Sequence, residues 1–286
     1  MKMNSLSNCY ILSNGIEIPC IGFGTWQTPD GEIAIKAVKN AIEIGYRHID
    51  TAAAYGNEKS IGDAVKYNNI VSREELFITS KLWNNKHGYE NTLSAFDKTL
   101  KDLQLQYLDL YLIHWPIARG HEKDWQKTIL ETWKAFEKLY KEGKIRAIGV
   151  SNFLPHHLNP LIIYTEIQPM VNQIELHPGQ IQSETVLFCQ KHNILLEAWG
   201  PLGTGKMLSN PILKEIANKY NKSIAQLCIR WSLQNNFLPL PKSVTPSRIS
   251  ENANVFDFEI TYEDMNTINV LPYFGGSGLN PDNTYF

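Results

Sequence analysis

Short apolar, β-branched runs alternate along the chain with longer stretches in which apolar residues recur every three or four positions. The runs are 21–23, 48–51, 76–82, 108–115, 147–152, 170–176, 194–199 and 237–244. Most are apolar on both faces, which predicts strands covered on each side, as in a parallel sheet. Between them, Leu93, Phe96, Leu100 and Leu103 share one helical face, as do Ile129, Trp133, Phe136 and Tyr140. Gly143 then stands where a left-handed residue ends a helix. Ser223 and Gln226 have the spacing of a capping box, and Asn210 followed by Pro211 puts proline at a first helical position. Eight strand-like runs joined by helices call for a parallel sheet with helical crossovers, and eight strands close a TIM-type barrel. An open doubly wound sheet is the competing arrangement. Ahead of the first run, Asn14 and Gly15 sit between the apolar segments 9–12 and 16–19, a hairpin signal. The expectation is an α/β chain, one (β/α)8 TIM barrel domain over residues 1–286, with an N-terminal β-hairpin closing the bottom.

Composition narrows the function classes. Lys plus Arg is 27 against 29 for Asp plus Glu, a formal charge of −2 over 286 residues. Such a balance argues against a dominant phosphate-neutralising surface, so nucleic acid is not an expected main partner. The first fifteen residues hold no apolar signal core, and no uncharged run is long enough to span a membrane. Cysteines 9, 20, 189 and 228 form no CxxC pair and no ligand spacing. They read as reduced thiols of a cytoplasmic protein without a metal centre.

Candidate chemistry lies at the C-terminal strand ends, where barrel active sites are built. The second strand ends in Asp50 with Tyr55 in the following loop; the third ends in Lys81 and the fourth in His114. A buried lysine needs a partner, because an unpaired charge costs several kcal/mol, and Asp50 can supply it. The resulting cation beside Tyr55 would lower a phenol pKa of about 10 and make the hydroxyl a general acid. His114 could hydrogen-bond the same substrate oxygen.

The chain resembles the aldo-keto reductases along nearly its whole length. The resemblance is carried by GFGTW (22–26), GYRHIDTAAAYGNE (45–58), ITSKLW (78–83), LDLYLIHWP (108–116), IRAIGVSNF (145–153), VNQIELHP (171–178), AWGPLG (198–203) and PKSVTPSRISEN (241–252). Among subgroups it is most similar to the 2,5-diketogluconate reductase and prostaglandin F synthase type. The resemblance implies a (β/α)8 barrel that reduces aldehydes and ketones with NADPH, with no metal taking part. It places the catalytic tetrad on Asp50, Tyr55, Lys81 and His114. It also implies nicotinamide contacts at Ser151, Asn152 and Gln173, with Asp50 beside them and Trp199 stacked on the ring, where many relatives carry Tyr. Thr25 and Trp26 would line the cleft, and Pro201, Leu202 and Gly203 would follow the pyrophosphate. Lys242, Ser243 and Arg248 match the family's clamp on the 2′-phosphate, and Glu251 and Asn252 would meet the adenine. Arg offers a planar fork and Lys a point charge, which favours NADPH over NADH.

The substrate pocket is expected between Trp26, Trp83 and Trp115, with Tyr55 and His114 at its base, for a small-molecule carbonyl. The Gly-rich tail reads as mobile, leaving an open site, and monomer is the family's usual state. Other motifs fail on detail. The Gly200–Lys206 stretch fits most of a Walker A loop, but Met207 replaces its Ser or Thr. Gly149 to Phe153 starts like a nucleophile elbow and lacks the final Gly. Asn221 opens a formal sequon that reads as a helix start. The alternative function is a cofactor-binding regulatory or structural relative, which retention of all four tetrad residues argues against.

Overall fold

The chain opens with an antiparallel hairpin, β1 (Cys9–Ile11) and β2 (Glu17–Pro19), in which Tyr10 faces Ile18. Gly15 in its turn has φ 84°, a left-handed conformation that costs glycine nothing. Eight parallel strands follow: β3 (Gly22–Gly24), β4 (His48–Asp50), β5 (Phe77–Leu82), β6 (Leu108–Ile113), β7 (Ile145–Ser151), β8 (Val171–Glu175), β9 (Leu195–Trp199) and β10 (Leu238–Leu240). They pair in chain order. The connecting helices are α1 (Glu32–Ile44), α2 (Glu58–Lys66), α3 (Tyr89–Leu103), α4 (Trp125–Lys141), α5 (Pro155–Tyr164), α6 (Ser183–Lys191), α7 (Pro211–Lys219) and α8 (Ile224–Gln234). After β10 come α9 (Pro246–Ala253) and α10 (Tyr262–Asn269). This computed structural model describes residues 3–284.

The sheet curls until its ends meet. Gly24 N donates to Pro241 O at 3.0 Å across the seam between β3 and β10. Gly22 permits that approach, since a Cβ there would lie 2.4 Å from Leu240 Cδ2 and 2.7 Å from the His48 ring. The result is the expected (β/α)8 barrel. Every residue of β5 and β6 is buried, in keeping with strands covered on both faces.

The hairpin lies at the bottom. Asn14 Nδ2 donates to Arg146 O at the start of β7, and Tyr10 Oη to Phe237 O just ahead of β10. Helix faces follow the predicted period: Phe96, Leu103, Ile129, Trp133 and Phe136 are buried, with Leu93, Leu100 and Tyr140 partly so. The Ser223–Gln226 capping box forms, and Asn210 accepts from two backbone amides ahead of α7. Each such cap is worth about 1 kcal/mol.

One strand is shorter than its run. The apolar stretch 237–244 yields only Leu238–Leu240, because Pro239 and Pro241 each lack a ladder donor. The chain leaves the sheet at Pro241, which carries Lys242 and Ser243 out onto the rim.

Candidate active site

Asp50 ends β4 and Lys81 stands near the end of β5, while His114 follows β6 directly. Tyr55 closes a single 3-10 turn, Ala53–Tyr55, beyond β4. The structure brings all four together. Lys81 is wholly buried, and its Nζ donates to Asp50 Oδ1 and Oδ2 at 2.7 and 2.8 Å and to Thr51 O at 3.0 Å. The Tyr55 hydroxyl lies 3.3 Å from the same nitrogen. Burial pulls the Lys81 ammonium toward neutrality, but the Asp50 carboxylate and Tyr55 outweigh it and hold its pKa above the ordinary value.

The Tyr55 hydroxyl departs from the sequence expectation. Burial pushes its pKa up, Lys81 pulls it down, Asp50 adds to the rise, and the net shift is upward. The cation is already compensated by Asp50, so its pull on the phenol is too weak to offset the desolvation of a phenolate. Tyr55 is therefore a firmly protonated hydroxyl at neutral pH. Burial, and then Lys81, hold the His114 imidazole well below its ordinary pKa, so it is neutral. Its Nδ1 is sealed without a partner. The Tyr55 and Trp83 rings meet His114 edge-on at 5.7 and 5.2 Å.

The expected substrate aromatics divide by depth. Trp115 is buried, Trp83 half-buried, and Trp26 exposed, in edge contact with Trp199 at 6.4 Å. A cavity of about 160 Å³ is lined by Trp115, Asn152, Leu154, Glu175, Gln180, Gln182, Trp199 and the tail residues Leu279, Asn280 and Pro281. The tail is tied down, contrary to its glycine-rich appearance. Glu175 accepts from Ser277 N and Oγ at 2.7 and 2.5 Å, and Asp282 meets His156 Nε2 at 2.8 Å. Gly276 serves close approach: a Cβ there would lie 2.7 Å from Glu175 Oε1 and 2.9 Å from His177 Nε2.

Most residues expected at the cofactor line the same rim. Ser151 ends β7, Asn152 follows with φ 64°, and Gln173 faces Ser151 from β8. Asn152 Nδ2 donates to His114 O and Ser151 Oγ, and its Oδ1 accepts from Trp199 Nε1 at 2.8 Å. That last bond uses an indole N–H, which tyrosine lacks. Thr25 is buried, and its hydroxyl is spent on Asp50 O at 2.9 Å. Pro201, Leu202 and Gly203 make a turn that Gly203 N closes onto Gly200 O at 2.7 Å.

Lys242, Ser243 and Arg248 flank the start of α9, with Glu251 and Asn252 in its last turn. Ser243 Oγ accepts from Thr245 N at 3.1 Å. Partial burial lowers the Lys242 pKa. Among the described residues neither Lys242 nor Arg248 has an ion-pair partner. Two uncompensated cations beside a helix N-terminus fit an anionic group. Together with the Trp199 ring face, they make the rim a fitting receptor for a phosphorylated dinucleotide.

Glu197 and His48 escaped the sequence reading. Both are wholly buried under the tetrad. The available signal was an acid inside the apolar run of β9, two positions before Trp199 and so on the same strand face. A further cluster, His156, His157 and Asp282, brings ligand-type atoms together. His157 Nδ1 accepts from Leu154 N, so the ring proton sits on Nε2, where a metal would need a lone pair.

Comparison with known proteins agrees with this arrangement. The model of the aldo/keto reductase family matches residues 20–271. The chain is 52% identical over 282 residues to the glyoxal reductase of Bacillus subtilis (strain 168), covering 99% of each protein. It is 48% identical over 286 residues to the 9,11-endoperoxide prostaglandin H2 reductase of Trypanosoma cruzi (strain CL Brener), covering 99% of this chain and 98% of that one. The crystal structure of a Bombyx mori aldo-keto reductase in complex with NADP superposes with a TM-score of 0.84 at 36% identity, over 93% of this chain and 92% of that one.

Proposed function

The chain belongs to the aldo/keto reductase family, and from that membership we propose that Tyr55 is the general acid of its carbonyl reduction. It is an NADP(H)-dependent oxidoreductase. The observation that carries the proposal is the Tyr55 hydroxyl 3.3 Å from a Lys81 ammonium that Asp50 holds in place.

Bound NADPH supplies the hydride. Every other part of the step falls to the protein. Tyr55 gives its proton to the substrate oxygen, and the phenolate left behind is stabilised by Lys81. Its raised pKa keeps the proton in place until the oxygen gains charge, and positioned acids of this kind contribute about 100-fold or more. Neutral His114 donates a second hydrogen bond to that oxygen and orients the carbonyl. Trp26, Trp83 and Trp115 bound the substrate. We extend the glyoxal activity of the Bacillus relative to this chain: α-dicarbonyls are its proposed substrates.

Ser151, Asn152 and Gln173 would hold the carboxamide, Trp199 the ring, and Pro201, Leu202 and Gly203 the pyrophosphate, with Thr25 fixing Asp50. Lys242, Ser243 and Arg248 would bind the 2′-phosphate, and Glu251 and Asn252 the adenine. One chain supplies every proposed contact, so the reading takes residues 1–286 as one barrel domain that works as a monomer in the cytoplasm. No helix among the described residues is long and apolar enough to cross a membrane.

Loss of NADPH absorbance on mixing with methylglyoxal, an aromatic aldehyde, a quinone and a sugar-derived ketone tests the reading, with NADH in parallel. Turnover of methylglyoxal with NADPH preferred is expected. Silence across the panel despite tight NADPH binding would contradict it.

A further inference from the structure

The barrel interior beneath the tetrad holds polar side chains that the proposed chemistry does not use. Glu197 Oε2 accepts from Gln173 Nε2 at 2.8 Å, and the same nitrogen donates to Asp50 Oδ2 at 2.8 Å. An amide nitrogen has two hydrogens, so both are spent on carboxyl groups. Turning the amide over would set its oxygen against the Asp50 carboxylate. Gln173 Oε1 is thereby the outward end of the side chain. It takes no donor among the described residues, and it is not among the polar atoms sealed from solvent.

Its neighbours are committed in the same sense. Asn152 spends both Nδ2 hydrogens on His114 O and Ser151 Oγ. Ser151 spends its hydroxyl hydrogen on Gln173 O. The rim formed by β7 and β8 therefore offers acceptors and no spare side-chain donor. A pyridine ring bearing an amide N–H suits it, and one bearing a ketone does not.

We propose that Glu197 is a positioning residue that, together with Asp50, fixes the Gln173 amide with its oxygen outward, so that the site selects a dinucleotide by its carboxamide N–H. The inference rests on the proposed contact between Gln173 and the carboxamide. It also accounts for an acid in a costly place. Glu197 faces Asp50, Lys81 and His48, whose Nε2 is 3.9 Å from the unpartnered Glu197 Oε1. Burial, and then Asp50, push the Glu197 carboxyl up to about 8, so it serves at neutral pH as an uncharged acceptor and adds no second negative charge beside Asp50.

Equilibrium binding, read by tryptophan quenching in the full-length protein, tests the assignment with NADPH and its 3-acetylpyridine analogue. Wild type should bind NADPH about tenfold more tightly, the worth of one buried hydrogen bond. Glu197→Leu should narrow that preference by weakening NADPH alone, since Asp50 still holds only one of the two amide hydrogens. Glu197→Gln, whose side-chain oxygen still accepts from Gln173, should retain it. Equal affinities in wild type would overturn the proposal. So would a Leu variant that weakens both ligands alike or keeps full discrimination. If the Leu variant does not fold, the Gln variant decides, and loss of discrimination there contradicts the assignment. Failure of wild type to bind either ligand would instead remove the cofactor reading on which the inference stands.

Discussion

A lysine with no exposed surface decides the character of the rim. Asp50 neutralises Lys81, so Tyr55 sits beside a compensated pair and keeps its proton, ready to be withdrawn only when a substrate oxygen becomes basic. The tetrad was legible because Asp50, Lys81 and His114 stand at or near the ends of apolar runs, where polar residues are conspicuous, and Tyr55 lies in the loop just after the first of them. Glu197 was not: one acid within 194–199 looks like an interruption until the barrel closes and sets it against Gln173 and Asp50. Nor does sequence alone predict the direction of the Tyr55 shift, which depends on how much of the phenol is desolvated. The cations at α9 make a sharper residue-level prediction. Arg248→Ala should weaken NADPH about ten- to a hundredfold, the worth of charge-assisted hydrogen bonds to phosphate. NADH should change by less than about threefold, since it offers no charge at that position. Equal losses, measured by titration with each cofactor, would refute the clamp.

The elements were legible where period and burial agree, as in β5, β6, α3 and α4. They were misjudged where glycine and proline act through contacts rather than local preference. Two prolines cut the last strand to three residues, and the tail glycines that suggest mobility allow the chain to lie against Glu175. The crossing of α2 over the end of α3 depends on the same device. A Cβ at Gly62 would lie 2.4 Å from Leu103 O and 2.8 Å from Leu103 Cα. Backbone cannot swing aside as a side chain can. Gly62→Ala should therefore cost about 1–3 kcal/mol despite alanine's better helix propensity. Thermal unfolding reads the difference, and an unchanged or raised Tm would show that the two helices separate without penalty.

Four buried histidines held as neutral rings and two buried acids held protonated shape the molecule's stability against pH. Burial pulls His48, His87 and His157 down to about 3 and His114 well below its ordinary value. Below pH 6.5 the unfolded chain binds protons that these rings refuse, so stability falls as the solution is acidified. Each ring contributes a slope of up to about 1.4 kcal/mol per pH unit. Burial raises Glu58 to about 7 and Glu197 to about 8. Above pH 4.5 the unfolded chain releases protons that these acids keep, and stability falls as pH rises toward their folded values. Four rings outweigh two acids between pH 4.5 and 6.5. The urea midpoint should therefore be highest near pH 6.5 and drop on both sides. A midpoint that is flat from pH 4.5 to 6.5 would show that these rings are not held neutral. The most direct test of the account is kcat for Tyr55→Phe alongside its NADPH affinity. The account predicts a loss of about 100-fold or more in kcat with cofactor binding unchanged. Retention of more than about a tenth of the wild-type kcat would contradict Tyr55 as the proton donor.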